Sequence, residues 1–305
     1  RDVSRVLGPP LTTDADTIAL PVVNTVPAQV ESPGIASSAN EKYTLLVFRK
    51  GASPGSIPLS SDNQPPAAEL SVFQGGTLVP TSLGTLRWLP VAEKTAEIAP
   101  YQPPLIAGTK TEWTRSEVAG DSIVISDRRT HLYHLRLQPT PTPHLAAAGQ
   151  VSLSRALVGN LAVVGTMVYA VDSAHTLQTF KLPDLAAGPT WDLPEACLWN
   201  GPVASDKLVF VATSEPEGMH CQAFDERGQL VWEQRLPAGT MPPVVAGDAV
   251  FIADIRGGIA RLNAADGRET KRIETGLAIT HGPVVDGDKL LVATASGELV
   301  EMAQP

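Results

Sequence analysis

PPVVAGDAVFIADIRGGIARLNAADGRETKRIE, residues Pro242–Glu274, decides the fold. Pro243–Ala246 and Ala249–Ala253 are short apolar runs rich in β-branched residues, parted by Gly247-Asp248. Ile255–Gly258 reads as a second turn and Ile259–Asn263 as a third run. Asp266-Gly267 follows as a hairpin signal, because both central positions of a type I′ turn want positive φ. Thr270–Glu274 closes the set. Four short strands joined by tight turns are one antiparallel sheet, and residues 201–236 repeat the plan with Arg227-Gly228 as the last turn.

The second strand of this unit recurs along the chain. It begins at Asp16, Gly76, Asp121, Thr166, Asp206, Asp248 and Asp288. From the second copy onward the spacing is about 40 to 45 residues, the period of a four-stranded propeller blade. The first interval is longer because residues 24–40 form an insertion after a second strand. Gly8-Pro9-Pro10, Gly201-Pro202, Pro242-Pro243 and Gly282-Pro283 each open a first strand. Proline cannot donate to a ladder, so it belongs at strand starts and edges.

The expected fold is therefore all-β, a single seven-bladed β-propeller of four-stranded antiparallel blades over residues 1–305. The blades are expected at about 8–64, 65–108, 109–152, 153–195, 196–238, 239–278 and 279–305. The last has room for three strands, ending in Glu298–Met302. Asp2–Leu7 precedes the first blade, and residues 1–7 are expected to supply the missing outer strand and close the ring.

Composition agrees with this class. Hydrophobic residues are 43% and charged residues 18%, with 25 glycines and 27 prolines. That is too apolar for disorder and too rich in turn residues for a helical bundle. The net charge of −9 argues against an electrostatic nucleic-acid binder. No run of 18 apolar residues and no signal peptide is visible, so no transmembrane segment is expected. The sequence opens on Arg1, which suggests a processed product or part of a longer polypeptide.

Residues 223–237, AFDERGQLVWEQRLP, resemble the quinoprotein-like (PQQ-like) repeat, carried by Ala223, Asp225, Gly228 and Trp232. Residues 261–273 are a weaker copy with Lys271 near the tryptophan place. The likeness covers about residues 165–305. Trp191-Asp192 is the single Trp-Asp dipeptide, so the tryptophan-aspartate repeat family fits less well. The PQQ-like family includes quinone-dependent dehydrogenases and non-catalytic binders of the bacterial envelope. Its enzymes have eight blades, a vicinal disulfide and a bound calcium. This chain has seven apparent blades and no adjacent cysteines. The resemblance thus implies the non-catalytic branch, no cofactor, protein partners, and a location in the cell envelope or outside the cell. Two alternatives stand beside it: a structural subunit of a surface filament or layer built by strand exchange, and a quinone-dependent dehydrogenase.

No phosphate-binding glycine loop and no Gly-x-Ser-x-Gly elbow occurs. His131 and His134 are three apart on an expected strand and point to opposite faces, so they are not expected to share a metal. Asp14 with Asp16, and Asp286 with Asp288, read as turn residues. Cys197 and Cys221 form either a disulfide or two separate thiols; two strand spacings of about 9.5 Å are wide for a bond. Most tryptophans are expected between blades, with Trp199 as the best exposed candidate. The binding face is expected on the loops after second and fourth strands: Arg128, Arg129, Asp172, His175, Glu215, Glu217 and Arg256, with the 24–40 insertion beside them.

Overall fold

The computed structural model describes residues 3–8, 10–26, 40–59, 65–91, 98–104, 111–140, 142–193, 197–198, 201–205, 207–215, 218–237, 239–241 and 243–305. The described residues are strand and turn, with no helix. Seven antiparallel sheets follow one another along them. The strands of each sheet are lettered A to D in chain order, the first two strands of the first sheet and of the fifth each counting together as strand A.

The first sheet holds β1 (Val3–Val6), β2 (Leu11–Asp14), β3 (Thr17–Val26), β4 (Asn40–Arg49) and β5 (Gly55–Pro58). The second holds β6 (Ser71–Phe73), β7 (Gly76–Pro80) and β8 (Leu86–Pro90), and the third β9 (Glu117–Ala119), β10 (Ser122–Ser126), β11 (His131–Gln138) and β12 (His144–Ser152). The fourth holds β13 (Leu157–Val164), β14 (Met167–Asp172), β15 (Thr176–Lys181) and β16 (Ala186–Asp192). The fifth holds β17 (Cys197–Leu198), β18 (Val203–Ala204), β19 (Leu208–Glu215), β20 (Gly218–Asp225) and β21 (Leu230–Pro237). The sixth holds β22 (Val244–Ala246), β23 (Ala249–Ala253), β24 (Gly258–Asn263) and β25 (Glu269–Glu274). The seventh holds β26 (Ile279–Asp286), β27 (Lys289–Thr294) and β28 (Leu299–Ala303).

The chain divides into two compact units, Arg1–Arg128 with Tyr133–Ala148, and Arg129–Leu132 with Gly149–Pro305.

Among the described residues, the expected closing strand joins the first sheet and not the last. β1 pairs antiparallel with β3, Val3 opposite Thr25 and Val6 opposite Val22. β2 pairs with the start of the same strand, Leu11 opposite Ala19. The reason lies in strand length. β3 runs ten residues, and β2 covers only its first part, so the rest of the ladder needs a partner. The chain reaches it through a kink at Gly8-Pro9-Pro10, where Leu7 N donates to Pro21 O at 2.9 Å. The seventh sheet has three strands among the described residues.

The same interruption marks every strand A. In the fifth sheet β17 and β18 both pair β19, with Gly201-Pro202 between them. β13 is bulged between Val158 and Ala162, and β26 shifts register between His281 and Val284. Isolated bridges Pro66–Thr81 and Thr240–Asp254 precede β6 and β22, and Thr114 N bonds Ser126 O before β9. Glycine and proline produce most of these breaks, glycine by adopting positive φ, as at Gly159, Gly201 and Gly282, and proline by lacking a donor; the break before β9, at Arg115-Ser116, has neither.

The core lies between consecutive sheets within each unit. In the first unit Leu45 and Val47 pack with Val79 and Leu89, and Leu78 and Trp88 with Ile123 and Tyr133. In the second unit Tyr169 and Val171 pack with Val209 and Phe224, Phe210 and Ala223 with Val250 and Leu262, and Phe251 and Ile259 with Leu290 and Val292. Tryptophans fasten these seams. Trp232 Nε1 donates to Ala264 O at 2.8 Å, and its ring covers Gly267, where a Cβ would stand 2.7 Å away. Trp191 tilts over Phe224 at 5.2 Å and faces Gly228 in the same manner. Trp113 Nε1 donates to Thr81 O at 3.2 Å. In each case the indole reaches a neighbouring sheet, and its N–H, where buried, finds a carbonyl.

Candidate functional site

In the second, third, fourth, sixth and seventh sheets the turns from strand B to strand C share one chemistry. An oxygen-bearing side chain at the first position accepts backbone N–H groups, and a residue near the end takes positive φ. In the sixth sheet Asp254 Oδ1 accepts from Arg256 N at 2.8 Å and Gly258 N at 3.1 Å, and Gly257 N donates to Asp254 O. In the fourth sheet Asp172 Oδ1 accepts from Ala174 N and Thr176 N at 2.9 and 3.0 Å. Thr81 and Thr294 play the same part with their hydroxyls toward Thr85 N and Glu298 N, and Ser126 toward Arg128 N. This is the Asx or Ser/Thr turn, in which the side chain replaces a backbone acceptor.

The positive-φ position is Gly84, Gly257 and Gly297 in three sheets, but Arg128 in the third and His175 in the fourth. A side chain at φ near +60° is uncommon outside Asn, Asp and His, and it costs roughly 1–2 kcal/mol. Both residues belong to the expected binding face.

Their environments differ. Arg128 turns inward: its Nε donates to Trp113 O at 3.1 Å, and burial lowers its pKa. It braces the turn. Arg129 beside it is exposed. His175 is half-buried and tied by its backbone, N to Asp172 O and O from Leu193 N. Asp172 is fully buried, takes a further bond from Gln178 Nε2 at 2.7 Å, and lies 3.6 Å from Arg155. Arg256 is exposed at its turn tip next to Ile255, itself 54% exposed. Leu83 occupies the corresponding tip in the second sheet at 63% exposure. In the first unit the B–C turn of the second sheet exposes Leu83; in the second unit the corresponding turns present Arg129, His175, and Ile255 with Arg256. Sequence reading did not single out Leu83 or Ile255, because it sought charged residues on these turns and passed over the apolar one beside them, even where, as at Ile255–Gly258, the turn itself was read. Their signal was position: one apolar residue between the turn acceptor and the glycine.

Glu215 ends β19 opposite Gly218 at the corresponding turn of the fifth sheet. Trp199 and Glu217 lie outside the described residues, as do residues 27–39 of the insertion. The strands flanking that insertion are paired up to Val26 opposite Asn40.

Cys197 and Cys221 are not joined. Cys221 is a free thiol in the core between the fifth and sixth sheets, and burial pushes its pKa up to about 12. The register explains the separation: Cys221 stands opposite Ala212, whereas Cys197 stands opposite Ser214. His131 and His134 lie on β11, His134 buried and His131 within 3.3 Å of Ser152 Oγ. Asp14 Oδ1 accepts from Asp16 N at 2.9 Å, a turn contact.

Comparison with known proteins places these sheets. A family model described as PQQ_2, outer membrane protein assembly factor BamB, matches residues 188–304. The match to the PQQ-like repeat thus covers under half of the chain, its C-terminal part. BamB from Moraxella catarrhalis superimposes with a TM-score of 0.60 at 18% identity, over 100% of this chain and 99% of that one. The computationally designed Ika8 protein gives a TM-score of 0.59 at 9% identity, over 95% and 94% of the two chains. At these identities the likeness is one of fold. No curated relative matches the sequence. In the PQQ-like repeat of this chain, Gly228 is the positive-φ residue of its own turn and the surface on which Trp191 of the preceding repeat rests.

Proposed function

We propose that the chain is a seven-bladed PQQ-like propeller whose blades form a ring, and that it serves as a scaffold for protein recognition or assembly in the bacterial cell envelope. It performs no chemical step of its own in this reading. The envelope context comes from the matched family, whose description is an outer membrane protein assembly factor. One observation carries the recognition role: the B–C turns are pinned from within by side-chain acceptors, yet their tips expose Leu83, Ile255 and Arg256. Rigid loops lose little entropy on docking, an exposed apolar tip gains by leaving water, and arginine is among the residues enriched where protein interfaces carry most of their binding energy.

The test is site-specific photo-crosslinking in cells. Crosslinkers at Leu83, Ile255 and Arg256 are expected to give discrete protein adducts, while those at Thr270 and Lys271 on β25 give none. Absence of adducts from the turns, or equal adducts from β25, would overturn the reading.

A further inference from the structure

A cleft of about 190 Å³ lies in the first unit, between the first and second sheets. Leu7, Leu11 and Pro21 line it from the first sheet; Pro66, Ala67 and Leu70 line it from the second. Its origin is local. Gly8 lines it between Leu7 and Leu11 without a side chain, Pro65-Pro66 holds the opposite wall extended, and Ala67 and Ala68 supply only methyl groups. Between the fourth and fifth sheets the equivalent kinks close on each other. A Cβ on Gly201 would stand 2.4 Å from Asn160 N, which leaves no such space there.

Size and charge restrict the occupant. Small-molecule sites run to about 300–1,000 Å³, so this cleft suits one side chain better than a free cofactor. Three pyrrolidine rings and three leucines offer an apolar wall that fits the flat face of an aromatic ring. Glu69 also lines the cleft and is exposed. Its carboxylate is 3.5 Å from Arg115, and Arg115 also binds Glu117 at 2.8 Å. Two carboxylates share one guanidinium, so the cluster keeps a negative charge in a chain of net charge −9.

We propose that this cleft takes one aromatic side chain of an extended protein segment whose adjacent residue is Lys or Arg, the ring against Leu11, Pro21 and Pro66 and the cation at Glu69. The proposal rests on the protein-recognition reading and adds a second contact point with stated partner chemistry.

The probes are three tetrapeptides capped at both ends: Gly-Trp-Arg-Gly, Gly-Trp-Glu-Gly and Gly-Ala-Arg-Gly. They are titrated into the full chain while the methyl signals of Leu7, Leu11, Ala67, Ala68 and Leu70 are followed by NMR. Gly-Trp-Arg-Gly is expected to shift these methyls saturably, with a dissociation constant on the order of 1 mM. It should bind about three- to fivefold more tightly than Gly-Trp-Glu-Gly, the scale of an exposed ion pair. Glu69→Gln is expected to erase that preference while leaving Arg115 on Glu117. Ala68→Trp, which fills the cleft, should abolish binding. Unsaturable shifts, shifts centred on other methyls, equal binding of Gly-Ala-Arg-Gly, or a preference that survives Glu69→Gln would each overturn the proposal. Loss of peptide binding with intact turn crosslinks would reject the cleft alone; loss of turn crosslinks with intact peptide binding would reject the turn face alone.

Discussion

Two glycines with nearly equal backbones separate conformational strain from packing. Gly120 has φ +62° with nothing within 4 Å of a would-be Cβ, whereas Gly267 has φ +70° with the Trp232 ring at 2.7 Å. Gly120→Ala should cost about 1 kcal/mol, the left-handed penalty alone. Gly267→Ala should cost about 2–4 kcal/mol, since overpacking adds to strain. Urea denaturation with unchanged slope would check both. The Asp-Gly turn was legible in the sequence; its second duty was not. Sequence shows Trp232 and Gly267 as parts of separate repeats, and only the stacking of sheets reveals that one lands on the other. Cys221 makes a similar point. Its place near the start of a third strand could be read, but which face it joined depended on register. With Cys197 replaced by serine, Cys221 should resist alkylation near neutral pH in the native protein and react on unfolding, as a core thiol does.

At the scale of elements, turns were easier to read than strand partners. Asp172 and Asp254 open equivalent turns, but Asp172 is fully buried and also holds Gln178, while Asp254 is partly open. Asp172→Ala should cost about 2–4 kcal/mol because buried donors lose their acceptor; Asp254→Ala should cost about 1 kcal/mol. Thermal unfolding would rank them. The N-terminal strand shows where periodicity stops being informative. A period of about forty residues identifies a missing fourth strand in the last repeat. It does not say that β3, ten residues long, needs β1 more. Deleting residues 1–7 is therefore expected to release hydrogen-exchange protection at Val23 and Thr25 and leave the amides of β28 unchanged. Loss of protection in β28 would restore the original expectation of closure by this strand.

For the whole molecule, the seams between sheets are where titration meets stability. Tyr101 and Tyr169 are buried in them, and burial raises each pKa from 10.0 to about 12. The folded state therefore keeps its phenol protons longer than the unfolded state does. This contribution is intact below pH 10 and declines between pH 10 and 12. Stability followed by denaturant titration should fall over that interval, and the ultraviolet signal of ionised tyrosine should lag that of the unfolded chain. The interrupted first strands have a different consequence. Val6, Val118, Val158 and Val284 lie on them with 40–57% exposure, on a β-branched sheet edge. Such edges template fibrils when six or seven residues run unbroken. Here each kink or bulge cuts the edge into runs of four residues or fewer, such as Val3–Val6, Cys197–Leu198 and Val203–Ala204. Where glycine and proline make the cut, the signature that reveals the repeat also keeps an apolar edge from seeding amyloid growth.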